Sequence, residues 1–296
     1  MTLLPRELHD TDRPSSTAQW TTLGRALELG RDPADRIVTD VFAPTFLSAT
    51  SRRLFAPLRV AGPVMRLAER STLAGLAASG LCRHRFIDAH LLVALPDVEQ
   101  VVILGAGYDS RAYRFARAID RRPVFEVDLA PLSRRKRQVV DDHPELFDRG
   151  RMTSIEIDFR TQSLEGQLAG SGFRPSVPTF VVWEGVSMYL TRAAIIDTLG
   201  ALAGLCGQGS VLAMDYWQTV LGVGPYAQLR RVGQRAMGLI GEPIGFSIAS
   251  ARVGELLEPS GFEVVDLATA DTMTTRYATA GRRCDDGMYV VAARLR

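Results

Sequence analysis

The stretch VVILGAGYDS, residues 101–110, contains an apolar run of strand length and a glycine loop, and a predicted helix over 111–119 follows it. Glycine lets a backbone turn tightly and approach a ligand closely because it has no Cβ. A helix that begins directly after such a loop presents unpaired N–H groups and positive potential. The stretch therefore predicts a strand, a ligand-binding loop and a helix in that order.

Six more apolar runs of strand length follow this one, and helical segments separate most of them; they are residues 124–127, 154–157, 180–183, 211–214, 262–265 and 289–292. Strands rich in Val and Ile that alternate with helices predict a mostly parallel sheet with helices on both faces. No obvious helix separates the last two runs, which predicts an antiparallel edge hairpin with a long loop. The expected fold is a Rossmann-like α/β domain with seven strands and an antiparallel final strand.

The chain before the first strand has a different sequence pattern. Residues 17–95 are predicted to form an N-terminal helical cap, with helices over 18–29, 64–79 and 83–95. Residues 1–16 are polar and rich in Pro and Ser, which predicts a flexible N-terminus. Residues 17–296 are expected to form one domain.

Residues 216–249 interrupt the alternation of strands and helices and are too long for a simple loop. We interpret this insertion as a lid over the substrate, and a packing appendage is the alternative.

The 296 residues carry a formal net charge of +2, which gives no indication of a nucleic-acid partner. The basic run 134–137 is interpreted as a solvated helix face. Cys82, Cys206 and Cys284 are far apart and have no zinc-site spacing, so no metal is expected. Neither a signal peptide nor a membrane span is expected, and the sparse cysteines predict a cytoplasmic protein.

The glycine loop has Ser110 where the third glycine of a dinucleotide-binding fingerprint would stand, which argues against an NAD or FAD site. Asp128 ends the second strand, 21 residues after Gly107, and can accept hydrogen bonds from ribose hydroxyls. The alternative is that Asp128 caps the next helix.

Two further acidic residues stand at predicted strand ends. Asp158 can accept a hydrogen bond from an adenine amino group with Phe159 packed on the ring, or it is a turn aspartate. Glu184 ends the fourth strand and can pair with a cationic ligand, or it forms a structural ion pair with an arginine.

Five motifs together resemble the leucine carboxyl methyltransferase family, and they are RHRFID at 83–88, VVILGAGYDSRAYRF at 101–115, FEVDL at 125–129, Asp158 and WEGVSMYLT at 183–191. This family includes protein phosphatase methyltransferases and bacterial relatives of the tetracenomycin polyketide O-methyltransferase. The resemblance spans roughly residues 18–295. It implies a class I methyltransferase fold that binds S-adenosyl-L-methionine (SAM) and releases S-adenosyl-L-homocysteine (SAH).

The resemblance also implies roles for individual residues. Gly105, Ala106 and Gly107 would run beside the methionine part of SAM, with Glu184 close to it. Asp128 would hold the ribose, and Asp158 and Phe159 would flank the adenine. An arginine on the helix before the first strand would bind the SAM carboxylate through its planar fork, with Arg83 favoured and Arg85 as the alternative.

The expected reaction is O-methylation of a small-molecule carboxylate. The acceptor is expected to be a specialised metabolite such as a polyketide. An ionised carboxylate needs no general base, and His9, His84, His90 and His143 have no catalytic pattern around them. Tyr108 and Tyr189 either orient the acceptor or pack in the core. The alternatives are methylation of a phenolic or alcoholic hydroxyl, a nicotinamide-dependent oxidoreductase and a non-catalytic SAM-binding scaffold. The sequence leaves the oligomeric state open.

Overall fold

The computed structural model describes residues 16–58, 72–158, 161–218 and 245–296. Its seven strands are β1 (Gln100–Leu104), β2 (Val124–Asp128), β3 (Thr153–Glu156), β4 (Thr179–Trp183), β5 (Val211–Trp217), β6 (Phe262–Ala268) and β7 (Met288–Leu295). They form one sheet in the order β3-β2-β1-β4-β5-β7-β6. All seven predicted strands are confirmed, each within a few residues of its predicted bounds.

The helices around this sheet are α1 (Ser16–Glu28), α2 (Ala43–Phe46), α3 (Ala49–Leu58), α4 (Thr72–Ala94), α5 (Arg111–Arg114), α6 (Ala116–Ile119), α7 (Ala130–Asp142), α8 (Leu164–Leu168), α9 (Arg192–Leu205), α10 (Val253–Leu257) and α11 (Ala270–Tyr277). The single helix α4 covers the predicted 83–95 helix and the described end of the predicted 64–79 helix. The helix predicted over 111–119 is instead two short helices that meet at Phe115.

Strand β7 confirms the predicted antiparallel final strand but contradicts the predicted edge hairpin. It pairs antiparallel with both β5 and β6, so it lies inside the sheet and β6 forms the edge. Helix α11 also separates β6 from β7. The interior position fits the sequence of β7, because both of its faces are apolar and Val290 and Val291 are fully buried.

The sheet separates two hydrophobic layers, as the period of two along each strand requires. In β1, Val101 and Ile103 face the layer that contains α4 and α11. Val102 and Leu104 face the layer that contains α8, α9 and α10. Every residue of β1 is buried, so this central strand holds its loop on a rigid support.

Buried ion pairs attach the N-terminal helices to the sheet domain. Glu28 at the end of α1 accepts two hydrogen bonds from the guanidinium of Arg282, at 2.6 and 3.2 Å. The same carboxylate accepts the amide of Ile37 at 2.6 Å. Asp40 pairs with Arg25 at 2.6 Å and also accepts the hydroxyl of Ser110 at 2.7 Å. The helical cap is therefore bonded to the segment before β7 and to the loop after β1.

The basic run at 134–137 is not a uniformly solvated face, which corrects the sequence interpretation. Lys136 is buried in α7 and pairs with the buried carboxylate of Glu126 at 2.7 Å. Its neighbour Arg134 is exposed and pairs with Glu156 at the surface. Lys136 therefore forms a buried ion pair, whereas the arginines of the run lie at the surface or partly buried.

Several sequence predictions lie partly or wholly outside the described residues. These include the flexible N-terminus at 1–16, of which only Ser16 is described as the first residue of α1, and residues 219–244 of the predicted lid. Among the helices that the structure describes, none combines the length and the apolar character that a membrane span requires.

Candidate functional site

The carboxyl ends of β1, β2, β4 and β5 meet at one edge of the sheet because these strands are parallel. This edge brings together the glycine loop at 105–107, Asp128, Glu184 and Asp215. Ligands of open α/β sheets bind at such an edge, where the strand order reverses. The order reverses here between β1 and β4, directly beside the glycine loop.

The glycine loop adopts a conformation that requires glycine at both of its ends. The φ angles are +63° at Gly105 and +48° at Gly107, in the region that side chains with a Cβ rarely adopt. A Cβ added to Gly105 would lie 2.2 Å from Cγ2 of Val186, so this glycine lets the turn after β4 pack against the loop. The amides of Gly105 and Ala106 donate to the carbonyl of Val127, at 2.8 and 3.3 Å.

Asp128 fixes the other end of the loop. Its Oδ2 accepts the amide of Gly107 at 2.6 Å, and its Oδ1 accepts the amide of Leu129 at 2.7 Å. Burial raises the pKa of this carboxyl, although the two amides oppose the shift. Leu129, not Asp128, occupies the N-cap position of α7, and its side chain makes no capping hydrogen bond. The carboxylate thus joins the ends of β1 and β2 and still has lone pairs that can accept from a ligand.

Asp158 lies in the turn after β3, which ends at Glu156. Its carbonyl accepts the amides of Thr161 and Gln162, at 3.0 and 2.9 Å. This geometry is that of a turn residue, as the alternative interpretation expects, and it places Asp158 two residues beyond the strand end. Phe159 lies outside the described residues.

Arg83 is buried on α4 and faces the sheet edge, whereas Arg85 is exposed. Its Nε donates to Oε1 of Glu184 at 2.9 Å, and its Nη1 donates to Oδ2 of Asp215 at 2.9 Å. Its Nη2 donates to no residue that the structure describes and lies 3.5 Å from the Cβ position of Gly185. Arg83 therefore has a fixed orientation and presents its Nη2 amino group beside the site.

Glu184 receives three charged or polar donors within the site. Arg83 Nε and Arg111 Nη2 donate at 2.9 and 2.8 Å, and His84 Nδ1 lies 2.9 Å from Oε2. Burial alone would raise the pKa of Glu184, but His84, Arg111 and Arg83 hold it well below its usual range. Glu184 therefore forms the ion pairs with arginine that the alternative interpretation expects. Through one of these pairs the carboxylate also positions Arg83.

The neighbouring contacts define the protonation of His84. Arg114 Nη2 lies 2.8 Å from Nε2 of His84, and an arginine can only donate, so Nε2 accepts. Nδ1 lies 2.9 Å from both Oε2 of Glu184 and Nη2 of Arg111. A neutral ring that accepts at Nε2 has its proton on Nδ1 and donates it to Glu184, whereas Nη2 of Arg111 donates to Glu184 and to the carbonyl of His84. Burial and the charge of Arg111 lower the pKa of His84, which keeps the ring neutral. Both ring nitrogens are occupied, so His84 belongs to the supporting network.

The network around Arg83 and Glu184 contains six further residues that the sequence analysis did not assign to the site. They are His84, Asp88, Asp109, Arg111, Arg114 and Asp215. Arg111 is fully buried and donates to Asp88, Asp109 and Glu184. The motif at 101–115 contains Arg111 and Arg114, but a helix arginine has the same local sequence whether it is buried or exposed. Asp215 directly follows the predicted run 211–214, as Asp128 follows 124–127, so the same strand-end signal was available for it and was not used.

The two candidate tyrosines occupy different places. Tyr108 is buried and its ring stacks on Phe46 at 5.6 Å, which is the packing alternative. Tyr189 is half-buried in the turn after β4, and its hydroxyl donates to Oγ1 of Thr17 on α1 at 3.1 Å. Both tyrosines therefore contact the helical cap, and Tyr189 is the less buried of the two.

Comparison with known proteins identifies the family that the chain resembles. Residues 18–203 match the family model for leucine carboxyl methyltransferase. A relative from Parafrankia sp. strain EAN1pec is 34% identical over 61% of this chain and 56% of its own length. One from Frankia alni is 32% identical over 67% of both chains. Both are described provisionally as SAM-dependent methyltransferases. The chain thus spans between about half and two thirds of the length of these relatives.

Among solved structures, the chain is similar to the magnesium protoporphyrin IX methyltransferase of Synechocystis PCC 6803 with bound SAH. The TM-score is 0.49 and the identity is 15%, over 82% of this chain and 99% of that one.

Proposed function

The chain belongs to the leucine carboxyl methyltransferase family of SAM-dependent methyltransferases, and we propose that it transfers the methyl group of SAM to the carboxylate of a small molecule. The product would be a methyl ester. We place the acceptor among specialised metabolites, with polyketide acids as the first class to test.

The observation that carries the carboxylate proposal is that the described histidines are already hydrogen-bonded to other residues. Both nitrogens of His84 are occupied, His90 pairs with Asp266 at 3.1 Å, and His143 bonds the carbonyl of Val139 at 2.9 Å. His9 lies outside the described residues. An alcohol needs a base to remove its proton, whereas a carboxylate is already ionised at neutral pH. The arrangement therefore favours an acceptor that needs no deprotonation.

Glu184 and Asp215 are equally unsuited to act as bases. Glu184 is held ionised by His84, Arg111 and Arg83, which keeps its pKa well below the usual range and makes it a weak proton acceptor. Asp215 is fully buried and pairs with Arg83 and the amide of Gly185. These carboxylates position Arg83 instead of moving protons.

The residues at the sheet edge fit the chemical groups of SAM. When bound, SAM supplies a methyl group on a positively charged sulfur, which a nucleophile can displace directly. In our proposal, Nη2 of Arg83 pairs with the carboxylate of the cofactor, Glu184 lies beside its methionine part, and Asp128 accepts from the ribose. Asp158, with Phe159, adjoins the adenine. The glycine loop lets this backbone approach the cofactor without a side chain in the way.

The chain then contributes alignment and exclusion of water, with no covalent or proton-transfer step of its own. The fixed Arg83 orients the cofactor before the acceptor arrives. In our proposal Tyr189, whose hydroxyl donates to Thr17 on α1, orients the acceptor.

Calorimetric titration with SAM and SAH, with NADH as the control, tests the cofactor assignment. Binding of both sulfur compounds and none of NADH is expected, and the reverse pattern would favour an oxidoreductase. The acceptor class is then tested with methyl-labelled SAM and a panel of carboxylic acids and phenols. A methyl ester releases labelled methanol in mild alkali, but a methyl ether does not. Stable label on phenols alone would replace the carboxylate proposal with hydroxyl methylation, and binding without turnover would favour a scaffold.

A further inference from the structure

The segment at 283–285 packs along one face of helix α4. The amide of Asp285 donates to Oγ of Ser79 at 2.8 Å and to the carbonyl of Gly75 at 3.2 Å. A Cβ on Gly75 would lie only 3.3 Å from Cβ of Asp285, so the two backbones are in close contact. Positions 75, 79 and 82 share one helix face. This packing brings Cys284, next to Asp285, to the thiol of Cys82.

Cys284 packs against the cluster of buried residues that contains Cys82, and each thiol is the largest influence on the pKa of the other, although the sequence gives them no common motif. Cys82 is fully buried, whereas Cys284 is half-buried and reaches solvent. The third cysteine, Cys206, is buried in the opposite layer, where burial raises its pKa to about 11. Cys284 is thus the more exposed residue of the pair, and Cys82 is the buried one.

The surroundings of Cys284 favour its thiolate. The hydrogen bond from Cys82 lowers the pKa of Cys284 to about 7, and the hydroxyls of Thr274 and Ser79 and the charge of Arg282 act in the same direction. Oγ1 of Thr274 also accepts the amide of Cys284 at 2.9 Å, which fixes the hydroxyl beside the sulfur. The same hydrogen bond raises the pKa of Cys82. At neutral pH one sulfur is therefore nucleophilic and the other holds a proton.

We infer that Cys82 and Cys284 form a redox-active pair that hydrogen peroxide, or another two-electron peroxide oxidant, converts to a disulfide. The Cys284 thiolate attacks one peroxide oxygen, the O–O bond breaks, and Cys284 becomes a sulfenic acid while the other oxygen leaves as water after protonation. The Cys82 sulfur then attacks Cys284, the S–O bond breaks, and a second water leaves with the Cys82 proton. Two thiols lose two electrons in total and one peroxide gains them.

The test uses the reduced full-length protein without SAM, so its outcome is independent of the proposed methyl transfer. The protein is treated with a small excess of hydrogen peroxide, quenched with N-ethylmaleimide under denaturing conditions, and analysed by intact mass and peptide mapping. We expect a loss of about 2 Da, one maleimide on Cys206 alone, and a linked peptide pair containing Cys82 and Cys284. Dithiothreitol should restore all three thiols.

Variants define the order of the two steps. Cys206→Ser is the matched control and should still form the bond. Cys82→Ser should stop at a sulfenic acid on Cys284 that dimedone traps, and Cys284→Ser should form neither product. Three maleimides on the oxidised wild type, or a bond that includes Cys206, would overturn the inference.

A measurement on the wild type alone avoids any effect of substitution on folding. Peptide mapping after brief alkylation with iodoacetamide at pH 7.5 should show Cys284 modified at least about tenfold faster than Cys206. Equal rates for these two cysteines would contradict the assignment of Cys284 as the attacking thiol.

Discussion

Nη1 of Arg83 lies 2.9 Å from Oδ2 of Asp215, and this ion pair joins helix α4 to the end of β5. Oδ1 of the same aspartate accepts the amide of Gly185 at 2.6 Å, so one carboxylate fixes both the arginine and the turn after β4. Both side chains are buried. The guanidinium is therefore oriented before a ligand binds, which lowers the entropic cost of recognising a carboxylate.

Replacement of this arginine by lysine should weaken SAM binding by about tenfold or more, because lysine keeps the charge but loses the planar fork. Arg83→Lys is preferable to Arg83→Ala, which would take from the buried carboxylate of Asp215 the cation with which it pairs. Calorimetric titration measures the change. Arg85→Lys, on the exposed side of the same helix, is the matched control and should bind SAM like the wild type. Equal losses in both variants would remove Arg83 from the cofactor site.

The charge of Asp128 should matter in the same assay. Asp128→Asn keeps an oxygen that can accept the Gly107 amide but loses the negative charge that ribose hydroxyls donate to. We expect SAM affinity to fall by about tenfold, since a hydrogen bond to a charged group contributes about 1.5–3 kcal/mol. Asp142→Asn, at the exposed end of α7, is the control. Unchanged affinity in Asp128→Asn would limit this residue to holding the loop.

Gly105 should tolerate no side chain. Gly105→Ala adds a Cβ that would lie 2.2 Å from Val186 Cγ2 and places alanine at a φ of +63°. Overpacking and the left-handed backbone together predict a loss of about 2–4 kcal/mol in the free energy of unfolding, measured with denaturant. The double variant with Val186→Ala should recover the steric part and not the backbone part. A single variant as stable as the wild type would show that the loop can move away from Val186.

Turnover should not depend on histidine. His90→Gln and His143→Gln should retain wild-type methyl transfer once an acceptor is known, and His84→Gln should retain activity in the fraction that folds. The rate should also be nearly flat between pH 6 and pH 8, because a carboxylate acceptor is ionised throughout that range. An inactive histidine variant with a wild-type circular dichroism spectrum would instead indicate a general base and a hydroxyl acceptor.

The buried Glu126 should give the folded protein a specific pH dependence. Burial raises its pKa to about 7, although Lys136 opposes the shift, and the ordinary value is 4.5. The folded state therefore binds a proton that the unfolded state releases between these values. Stability from this group is present below pH 4.5 and is lost as the pH rises through about 7, which corresponds to about 3 kcal/mol.

Glu126→Gln tests this expectation by chemical denaturation at several pH values. The difference in unfolding free energy between wild type and variant should change by a few kcal/mol between pH 5 and pH 8, with the wild type losing stability. Glu156→Gln is the control, because Arg134 and Arg137 lower the pKa of that exposed carboxyl and it stays ionised in this range. A constant difference would show that Glu126 is ionised throughout.

The sequence predicted the elements better than their arrangement. Apolar runs identify β1 and β4 because both faces of a central parallel strand are buried, so nearly every residue is apolar. The place of β7 inside the sheet follows from long-range pairing with β5, and periodicity along one segment carries no information about its partner. Helix α11 was not predicted because its sequence, ADTMTTRY, is polar and rich in threonine and has no apolar helical pattern.

The candidate site shows the same division. Asp128 and Glu184 could be identified because they end apolar strands next to a glycine loop. Arg111 could not be assigned, because a surface arginine at the start of a helix has the same local sequence as a buried one. Its burial depends on Asp88 and Glu184, which approach it from distant parts of the chain.

The ion pair between Glu28 and Arg282 makes the helical cap part of the folding unit. A fragment that begins after α1 would leave Arg282 as a buried cation without its carboxylate, at a cost that is a large share of the stability of a whole domain. Amide hydrogen exchange in α1 should then be as slow as in β7, with both released in one global opening. Helix α1 and the segment around Arg282 would then have to change together to keep this ion pair. Exchanging α1 between relatives to change acceptor choice would require exchanging the segment around Arg282 as well.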